Sequence, residues 1–352
     1  MLKKDVNKLG LPPLRSAEEM SEILQDRVYG HAPSPEYSIS ATEPKMIEKR
    51  YAKGEVAHTY VDLTISANGM SHTLRVDRLL HNAKGKRPLV IFINFKSMSE
   101  SPYFPVEEMS EYNVDFLSFC YKDATSDDSD MTDKIAPMLR ASSQCGKIAM
   151  WAWTASRVLD YGLTLEGTDE DNLAVAGHSR LGKTALYAAM TDKRFKYAFS
   201  NASGCLGASL AHVNATADEG RRETYRDIYK NFPFWFSPAF EKYKDADTAD
   251  EFDMHYLIGA IAPRFVLVGS CSLDAWANPR SEQLCCSAAS DAWEKLSYDG
   301  FICDKYAEPW DSFLCGRVGY FMIDSMHFMS RHSWRYFMDF IEAKKDERIY
   351  KD

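Results

Sequence analysis

The residues best suited to chemistry stand together in one short segment, Gly177-His178-Ser179-Arg180-Leu181-Gly182-Lys183. An apolar run at 172–177, which predicts a buried strand, leads into this segment, and a helix is expected over 182–191. A sharp turn from strand to helix lifts a serine hydroxyl clear of the backbone, and the free N–H groups at the helix start can stabilise a developing oxyanion. This context indicates that Ser179 is a nucleophile.

The spacing of the glycines leaves a second interpretation open. The usual nucleophile motif is Gly-x-Ser-x-Gly, but here the second glycine comes one place later, at Gly182. Ser179 could therefore be the N-cap of an ordinary strand-to-helix turn. A nucleophilic role also requires a base elsewhere in the chain, because a free serine hydroxyl is a weak nucleophile.

Histidine is the usual base for such a serine, and the chain has nine histidines. Only His327 and His332 follow the last strand predicted along the chain, at 264–270, and lie at or before the last helix. We interpret His327 as the base, because His332 falls where the C-terminal helix, expected over 332–343, begins.

The base in turn needs a carboxylate that orients it and stabilises its cationic form. In α/β-hydrolases this acid lies between the serine and the histidine in chain order. Asp274 is the first carboxylate after the strand 264–270, and we interpret it as the acid. Two alternatives stay open: Asp274 could be a turn residue that satisfies its own backbone, and Glu282, in the next predicted helix, could be the acid.

The elements that must position these residues alternate between strands and helices. Strands are predicted at 57–66, 71–79, 89–93, 114–119, 172–177, 196–201 and 264–270, and helices at 17–28, 143–162, 182–191 and 332–343. The first two strands predict an antiparallel pair at a sheet edge. From residue 88 onward, the alternation predicts parallel strands joined by right-handed helical crossovers. The expected fold class is α/β: an α/β-hydrolase three-layer sandwich with a mostly parallel central sheet and helices on both faces.

The domain organisation follows from the absence of a Pro/Gly/Ser-rich linker, which predicts a single α/β-hydrolase domain over 1–352. Residues 1–56 are expected to form an N-terminal helical or loop segment. Residues 205–262 lack a clear strand and are rich in Tyr, Phe and Trp. We interpret them as an insertion near the active site, over the carboxyl edge of the sheet, where open α/β sheets bind their ligands.

Composition and charge argue against several other classes. The 352 residues carry 42 basic and 51 acidic side chains, a net charge of −9, which disfavours a nucleic-acid partner. No apolar segment is long enough to span a membrane, and the N-terminus lacks the apolar core of a secretory signal. The chain as given predicts a cytoplasmic protein, or a secreted or periplasmic one if a signal was removed. The eight cysteines show no metal-binding spacing, and we expect neither a metal nor a cofactor.

Several separated segments resemble the glucuronoyl esterases, carbohydrate esterase family 15, bacterial type. GHSRLGKTAL at 177–186 is similar to their nucleophile turn, and Asn201-Ala202-Ser203-Gly204-Cys205 resembles their N-E-S-G-C segment. Phe232-Pro233-Phe234-Trp235-Phe236 resembles their F-P-x-W-F, and the segment 274–279 resembles the acid loop of bacterial members. These α/β-hydrolases cleave esters between 4-O-methyl-glucuronic acid on xylan and lignin alcohols. The resemblance implies this activity on a small-molecule or oligosaccharide ester, without a cofactor.

The resemblance also implies roles for the side chains that perform the reaction. Ser179, His327 and Asp274 would form a catalytic triad. Arg180 would hold the oxyanion with its backbone N–H and its guanidinium.

On the substrate side, the resemblance implies three binding residues. Lys183 would contact sugar hydroxyls, Glu223 would be the sugar-binding glutamate, and Trp276 would pack on the uronate ring. Trp235 and the phenylalanines around it are interpreted as packing residues.

The chain departs from the family at Ala202, where many members carry a catalytic Glu. The triad should therefore depend on Asp274 alone. Two alternatives to a glucuronate esterase stay open: an acetyl-carbohydrate or general carboxylesterase, and a non-catalytic carbohydrate-binding pseudoenzyme.

Overall fold

The computed structural model describes residues 2–140, 143–215 and 222–350. In this part of the chain, eleven strands form one mixed sheet. In chain order they are β1 (Tyr37–Ala41), β2 (Lys45–Tyr51), β3 (Val56–Ala67), β4 (Met70–His81), β5 (Arg87–Asn94), β6 (Asp115–Cys120), β7 (Thr168–His178), β8 (Tyr197–Asn201), β9 (Phe265–Cys271), β10 (Ser312–Phe313) and β11 (Val318–Ile323). Across the sheet the order is β1-β3-β4-β6-β5-β7-β8-β9-β11-β10, and β2 also pairs with β3.

Helices connect and cover these strands. In the described residues they are α1 (Leu2–Val6), α2 (Ala17–Leu24), α3 (Val106–Met109), α4 (Tyr121–Ala124), α5 (Ala136–Arg140), α6 (Lys147–Gly162), α7 (Arg180–Thr191), α8 (Ala211–Ala215), α9 (Tyr225–Asn231), α10 (His255–Gly259), α11 (Pro279–Ala289), α12 (Asp291–Glu294) and α13 (Arg331–Lys344). From β5 through β11 the sheet neighbours are parallel, except for the short antiparallel pair β10–β11.

The central strand β5 explains why helices cover both faces of the sheet. All eight of its residues are buried, and parallel strands β6 and β7 flank it. Leu89 and Ile91 belong to the core that includes α6 and α7, whereas Val90 and Phe92 belong to the core that includes α13. Because successive side chains of a strand point to opposite faces, this apolar run requires a helical layer on each side.

The N-terminal part of the sheet differs from the sequence prediction. Residues 1–56, expected to be helical or loop, contain the strands β1 and β2. Both strands are mostly exposed, and the apolar alternation of β1, through Tyr37, Ile39 and Ala41, covers only five residues. They pair with β3 on the side away from β4, and the pair β3–β4 therefore lies within the sheet rather than at its edge.

One strand of the parallel half escapes sequence prediction. β11 is fully buried, but Gly319 interrupts its apolar run and weakens the strand signal. It is the parallel neighbour of β9, with Ile323 in register with Cys271. His327 therefore follows β11 and not the strand predicted at 264–270, and the β9–β11 pairing brings the loops after both strands side by side.

The described part of the segment 205–262 contains the short helices α8, α9 and α10. Several of its aromatic side chains are buried in the main core, among them Tyr225, Trp235 and Phe240. Its interpretation as an insertion into a single domain over 1–352 stays a prediction.

The close approach of β7 and α7 depends on Gly177. A methyl group on this residue would lie 2.0 Å from the carbonyl oxygen of Leu181, which is backbone of α7. No side-chain adjustment can relieve a contact with backbone, so an alanine would have to push the helix away from the strand.

Replacing Gly177 by Ala should destabilise the protein by about 2 kcal/mol or more, because the strand-to-helix turn must shift. Thermal unfolding followed by circular dichroism measures the effect as a lower midpoint. Gly167→Ala is the matched control, since its added methyl would lie at an ordinary 3.6 Å from Gly85 O. Equal midpoints for the two variants would contradict the tight packing described for Gly177.

Candidate active site

Ser179 lies between the last residue of β7 and the first residue of α7. Its backbone angles, φ 58° and ψ −127°, are ones that residues with a side chain rarely adopt. Its N–H donates to Asn201 O at 2.8 Å, and its carbonyl accepts from Gly182 N–H at 2.9 Å. These bonds hold a strained turn, and strain of this kind is typical of functional sites.

The alternative that Ser179 only caps α7 does not fit this geometry. A capping serine has extended backbone angles, and its hydroxyl accepts a hydrogen bond from the first turn of the helix. The Ser179 side chain makes no capping hydrogen bond, and its φ is positive. The residue is partly exposed.

Asp274 and His327 meet on the loops that follow β9 and β11. His327 Nδ1 lies 2.5 Å from Asp274 Oδ2. The Asp274 side chain is 7% exposed, whereas that of His327 is 45% exposed. A buried carboxylate that accepts from Nδ1–H fixes the imidazole and leaves its Nε2 free to take up a proton.

The backbone beneath this pair holds the two loops together. Ser272 N–H donates to Ile323 O at 2.9 Å, and Leu273 N–H donates to Ser325 O at 3.0 Å. The loops therefore continue the β9–β11 pairing beyond the strands, and they carry the carboxylate and the imidazole to the same point of the sheet edge.

The imidazole also lies close to the serine turn. The ring centroids of His327 and His178 are 4.6 Å apart, and His178 directly precedes Ser179. Within the described residues, no hydrogen bond joins the Ser179 hydroxyl to His327. Such bonds are often long without substrate and tighten when it binds. The structure thus brings the three predicted residues to one edge of the sheet.

His178 supports this edge as a neutral ring. Burial lowers the pKa of His178 to about 3, and the neighbouring His327 adds to the shift. Asn201 Nδ2 lies 3.0 Å from His178 Nδ1 and also donates to Phe328 O at 3.1 Å. At neutral pH His178 therefore adds no positive charge that would oppose protonation of His327.

The alternative base, His332, lies at the start of α13. Its N–H donates to the Ser330 hydroxyl at 3.2 Å, and its ring packs edge-on against Trp310. It is exposed, and the Asp274 carboxylate is bonded to His327 instead, so the geometry favours His327.

The alternative acid, Glu282, lies on α11 and is fully buried. Its carboxylate accepts from Gly204 N–H at 2.9 Å and from the Ser270 hydroxyl. Burial raises the pKa of Glu282 to about 7. Because His327 bonds to Asp274 instead, the geometry favours Asp274 as the partner of the imidazole.

Glu223 joins the residues predicted on the substrate side. Its Oε1 accepts from Trp276 Nε1 at 2.9 Å. Its Oε2 accepts from Cys205 N–H at 3.2 Å and lies 3.6 Å from Lys183 Nζ. Burial raises the pKa of Glu223, and the Lys183 ammonium opposes this shift.

Lys183 and Trp276 differ in how accessible their side chains are to a ligand. The Lys183 ammonium is nearly buried and donates to the carbonyl oxygens of Ser203 and Cys205. It therefore ties α7 to the segment after β8. Trp276 is 39% exposed, and its ring is the most accessible part of this group.

Arg180, predicted to hold the oxyanion, is the first residue of α7, and the N–H of a first helical residue has no acceptor within the helix. Its guanidinium forms an ion pair with Asp127. Sequence reasoning missed Asp127, because it belongs to the acidic run Asp127-Asp128-Ser129-Asp130, which is typical of an exposed loop. Only the fold reveals that its side chain is 9% exposed.

The described residues show neither a metal-binding cluster nor a membrane-spanning helix. In the described ranges, no group of three or more His, Cys, Asp or Glu side chains is arranged to hold a metal ion. The cysteines are free thiols. None of the described helices combines the length and the apolar character needed to cross a membrane. The expectations about cofactors and compartment stay predictions.

A mostly parallel sheet between two helical layers, a strained serine at a strand-to-helix turn and an aspartate–histidine pair on later loops define an α/β-hydrolase. The sequence profile described as "Glucuronyl esterase, fungi" matches residues 63–297. The chain belongs to this family, the glucuronoyl esterases.

Relatives and solved structures agree with this assignment. Carbohydrate esterase MZ0003, from an unknown prokaryotic organism, is 37% identical over 201 residues, 56% of this chain and 44% of that protein. A 4-O-methyl-glucuronoyl methylesterase from Podospora anserina is 26% identical over 286 residues, 79% of this chain and 55% of that protein. The chain thus spans about half the length of these curated relatives. The structure of a promiscuous CE15 esterase from the marine bacterial metagenome has a TM-score of 0.80 at 25% identity and covers 93% of this chain and 90% of that chain.

These similarities confirm two predictions from the sequence. The family match confirms the resemblance to glucuronoyl esterases, and the structural neighbour confirms the α/β-hydrolase fold class. The catalytic and binding roles of individual side chains stay predictions.

Replacing Glu282 by Gln should stabilise the protein at and above neutral pH. The folded-state pKa of about 7 exceeds the ordinary value of 4.5, so the stability contributed by the neutral carboxyl is complete below pH 4.5 and is lost as the pH rises through 7. Gln stays neutral throughout. The free energy of unfolding of Glu282→Gln should therefore exceed that of the wild type by up to about 3 kcal/mol at high pH and match it at low pH.

Thermal midpoints of both proteins, measured from about pH 4.5 to about pH 8.5, check this expectation. Glu18→Gln is the control, because the Glu18 side chain is 73% exposed. A difference between Glu282→Gln and the wild type that does not change with pH would contradict it.

Proposed function

We propose that the chain is a carboxylic ester hydrolase that cleaves glucuronate esters, in particular 4-O-methyl-glucuronoyl esters of plant cell-wall carbohydrate, through an acyl-enzyme. The observation that carries the proposal is the 2.5 Å contact between His327 Nδ1 and Asp274 Oδ2, beside the strained turn at Ser179. Family membership and relatives named 4-O-methyl-glucuronoyl methylesterases support the substrate class.

In the acylation step, the Ser179 hydroxyl oxygen attacks the ester carbonyl carbon while His327 Nε2 takes the hydroxyl proton. Asp274 stays ionised and stabilises the imidazolium. The tetrahedral intermediate then collapses: the bond between the carbonyl carbon and the alcohol oxygen breaks, and His327 gives its proton to the departing alcohol. The uronoyl group remains as an ester on Ser179.

Deacylation repeats these events with water. His327 takes a proton from a water molecule, and the hydroxide attacks the carbonyl carbon of the acyl-enzyme. When the second tetrahedral intermediate collapses, His327 returns the proton to the Ser179 oxygen. The products are the free uronic acid and the unmodified enzyme.

Arg180 would stabilise the negative oxygen of both intermediates. Its backbone N–H lies at the start of α7, and the N-terminal end of a helix carries a partial positive charge. Its guanidinium, held in an ion pair with Asp127, would donate further N–H groups to the same oxygen. Hydrogen-bond donors that are already oriented toward the atom on which negative charge develops make one of the largest contributions to catalysis.

The uronate ring would stack on Trp276, the exposed member of the substrate-side group. The hydrogen bond from its indole N–H to Glu223 fixes the ring in one orientation. Glu223 would also accept from sugar hydroxyls. Lys183 would fix the backbone beneath this subsite through its hydrogen bonds to Ser203 O and Cys205 O. Its ammonium would also offset the negative charge of Glu223.

A panel of three esters tests the substrate assignment. Methyl glucuronate and benzyl glucuronate should be hydrolysed with a higher kcat/KM than acetylated xylose, and Ser179→Ala should abolish turnover of all three. Preference for acetylated xylose would favour the acetyl-carbohydrate or general carboxylesterase instead. Full activity of Ser179→Ala would refute the proposed nucleophile.

Labelling by a fluorophosphonate probe separates an enzyme from a carbohydrate-binding pseudoenzyme. A functional nucleophile should be labelled in the wild type and not in Ser179→Ala. Sugar binding without labelling or turnover would favour the non-catalytic alternative.

Asp274→Asn should lower kcat by about 1,000-fold or more, because the amide favours the wrong imidazole tautomer and cannot stabilise the imidazolium. Steady-state hydrolysis of methyl glucuronate measures the change. Glu282→Gln is the matched control, since it alters a second buried carboxyl nearby that does not contact His327, and it should stay within about tenfold of the wild type. A larger loss in Glu282→Gln than in Asp274→Asn would show that the acid is misassigned.

A further inference from the structure

The carboxylate of Asp127 binds side chains from three separate segments near the proposed nucleophile. It follows α4 in the loop after β6, and its side chain is 9% exposed. Its Oδ1 accepts from Trp235 Nε1 at 2.8 Å. Its Oδ2 accepts from the Tyr121 hydroxyl at 2.7 Å and from Arg180 Nη1. All three donors therefore depend on one buried carboxylate for their orientation.

Aromatic rings enclose the Arg180 guanidinium around this ion pair. Its central carbon lies 4.8 Å from the ring centroid of Trp235, 5.4 Å from that of Phe232 and 6.0 Å from that of Phe95. The Phe232 and Trp235 rings are stacked, 3.9 Å apart with an angle of 2° between their planes. A guanidinium held between ring faces and a carboxylate has little rotational freedom left.

A second N–H group of the same guanidinium has no hydrogen-bond acceptor among the described residues. Within the part of the chain that the structure describes, the Nε–H of Arg180 is buried and makes no hydrogen bond. A buried donor that lacks an acceptor is costly, and in native proteins it commonly marks a place that a ligand or water satisfies. Arg180 is thus held at Nη1 and unsatisfied at Nε, one residue after Ser179.

We infer that Asp127 is a positioning residue for ester hydrolysis: it holds the Arg180 guanidinium so that its remaining N–H groups meet the oxygen of the ester carbonyl. The inference rests on the proposed function of the site. Asp127 itself does not touch the substrate, and it acts only through Arg180. Trp235 and Tyr121, which share the carboxylate, keep Asp127 in place.

A purely structural role makes a different prediction. In that case Asp127 would only fasten the loop after α4 to Trp235, and its loss would weaken the protein whether or not Arg180 is present. If it acts through Arg180, its loss should matter only while Arg180 is there. A double-mutant cycle distinguishes the two, because the effects of independent residues add and those of coupled residues do not.

The experiment compares the wild type, Asp127→Asn, Arg180→Gln and the double variant on methyl glucuronate. Asp127→Asn should lower kcat by about 10- to 100-fold with KM within about threefold, since one donor to the oxyanion is misplaced. In the Arg180→Gln background, Asp127→Asn should change kcat by less than about threefold. Equal losses of kcat in both backgrounds would overturn the inference.

Two further measurements keep the outcome unambiguous. Expressing kcat per serine labelled by a fluorophosphonate at end point removes any contribution from unfolded molecules. Asp128→Asn is the matched control, because the neighbouring side chain is 62% exposed and lies outside the cluster, and it should retain wild-type kcat. A loss in Asp128→Asn equal to that in Asp127→Asn would also overturn the inference. If the wild type hydrolyses no glucuronate ester, the proposed function fails before the cycle begins.

Discussion

The hydrogen bond between Asp274 and His327 depends on the register of two neighbouring parallel strands. Cys271 at the end of β9 and Ile323 at the end of β11 are paired, and the loops after them start from the same height on the sheet. A slip of one residue in either strand would turn its side chains to the opposite face and move the loop. The 2.5 Å contact is therefore a property of the sheet as much as of the two side chains.

Several neutral and charged side chains surround this contact. His178 is neutral because burial lowers its pKa to about 3. Glu223 lies against Lys183, and Arg180 is paired with Asp127. His327 is bonded to the buried carboxylate of Asp274, and its own side chain is 45% exposed. The imidazole is therefore open to solvent on one side, and the charged groups near it form ion pairs.

The sequence predicted those elements and residues that are marked by a local pattern or by their order along the chain. The apolar run of β5 predicted a central strand, and the turn at Ser179 stood between a clear strand and a clear helix. Asp274 and His327 were predicted from the constant order of serine, acid and histidine in this fold, and the structure places the two side chains in contact. β1 was missed because its alternation covers only five residues, β2 because its mostly exposed side chains show no alternation, and β11 because Gly319 interrupts its apolar run.

Asp127 was missed in the sequence analysis for a different reason. Nothing in an acidic run tells which carboxylate is buried, and the answer depends on how the loop after α4 packs against Trp235 and Arg180. The environment of Lys183 was also not predictable, because its acceptors, Ser203 O and Cys205 O, belong to a segment beyond the next strand. Both cases require the three-dimensional packing of segments that are distant in sequence.

Two of these contacts span the same distance along the chain. Asp127 and Arg180 are 53 positions apart, and so are Asp274 and His327. Closing loops of this length is slow compared with forming a local strand-to-helix turn. A nascent chain would thus form the turn at Ser179 early and bring Asp274 and His327 together only after β11 has paired with β9.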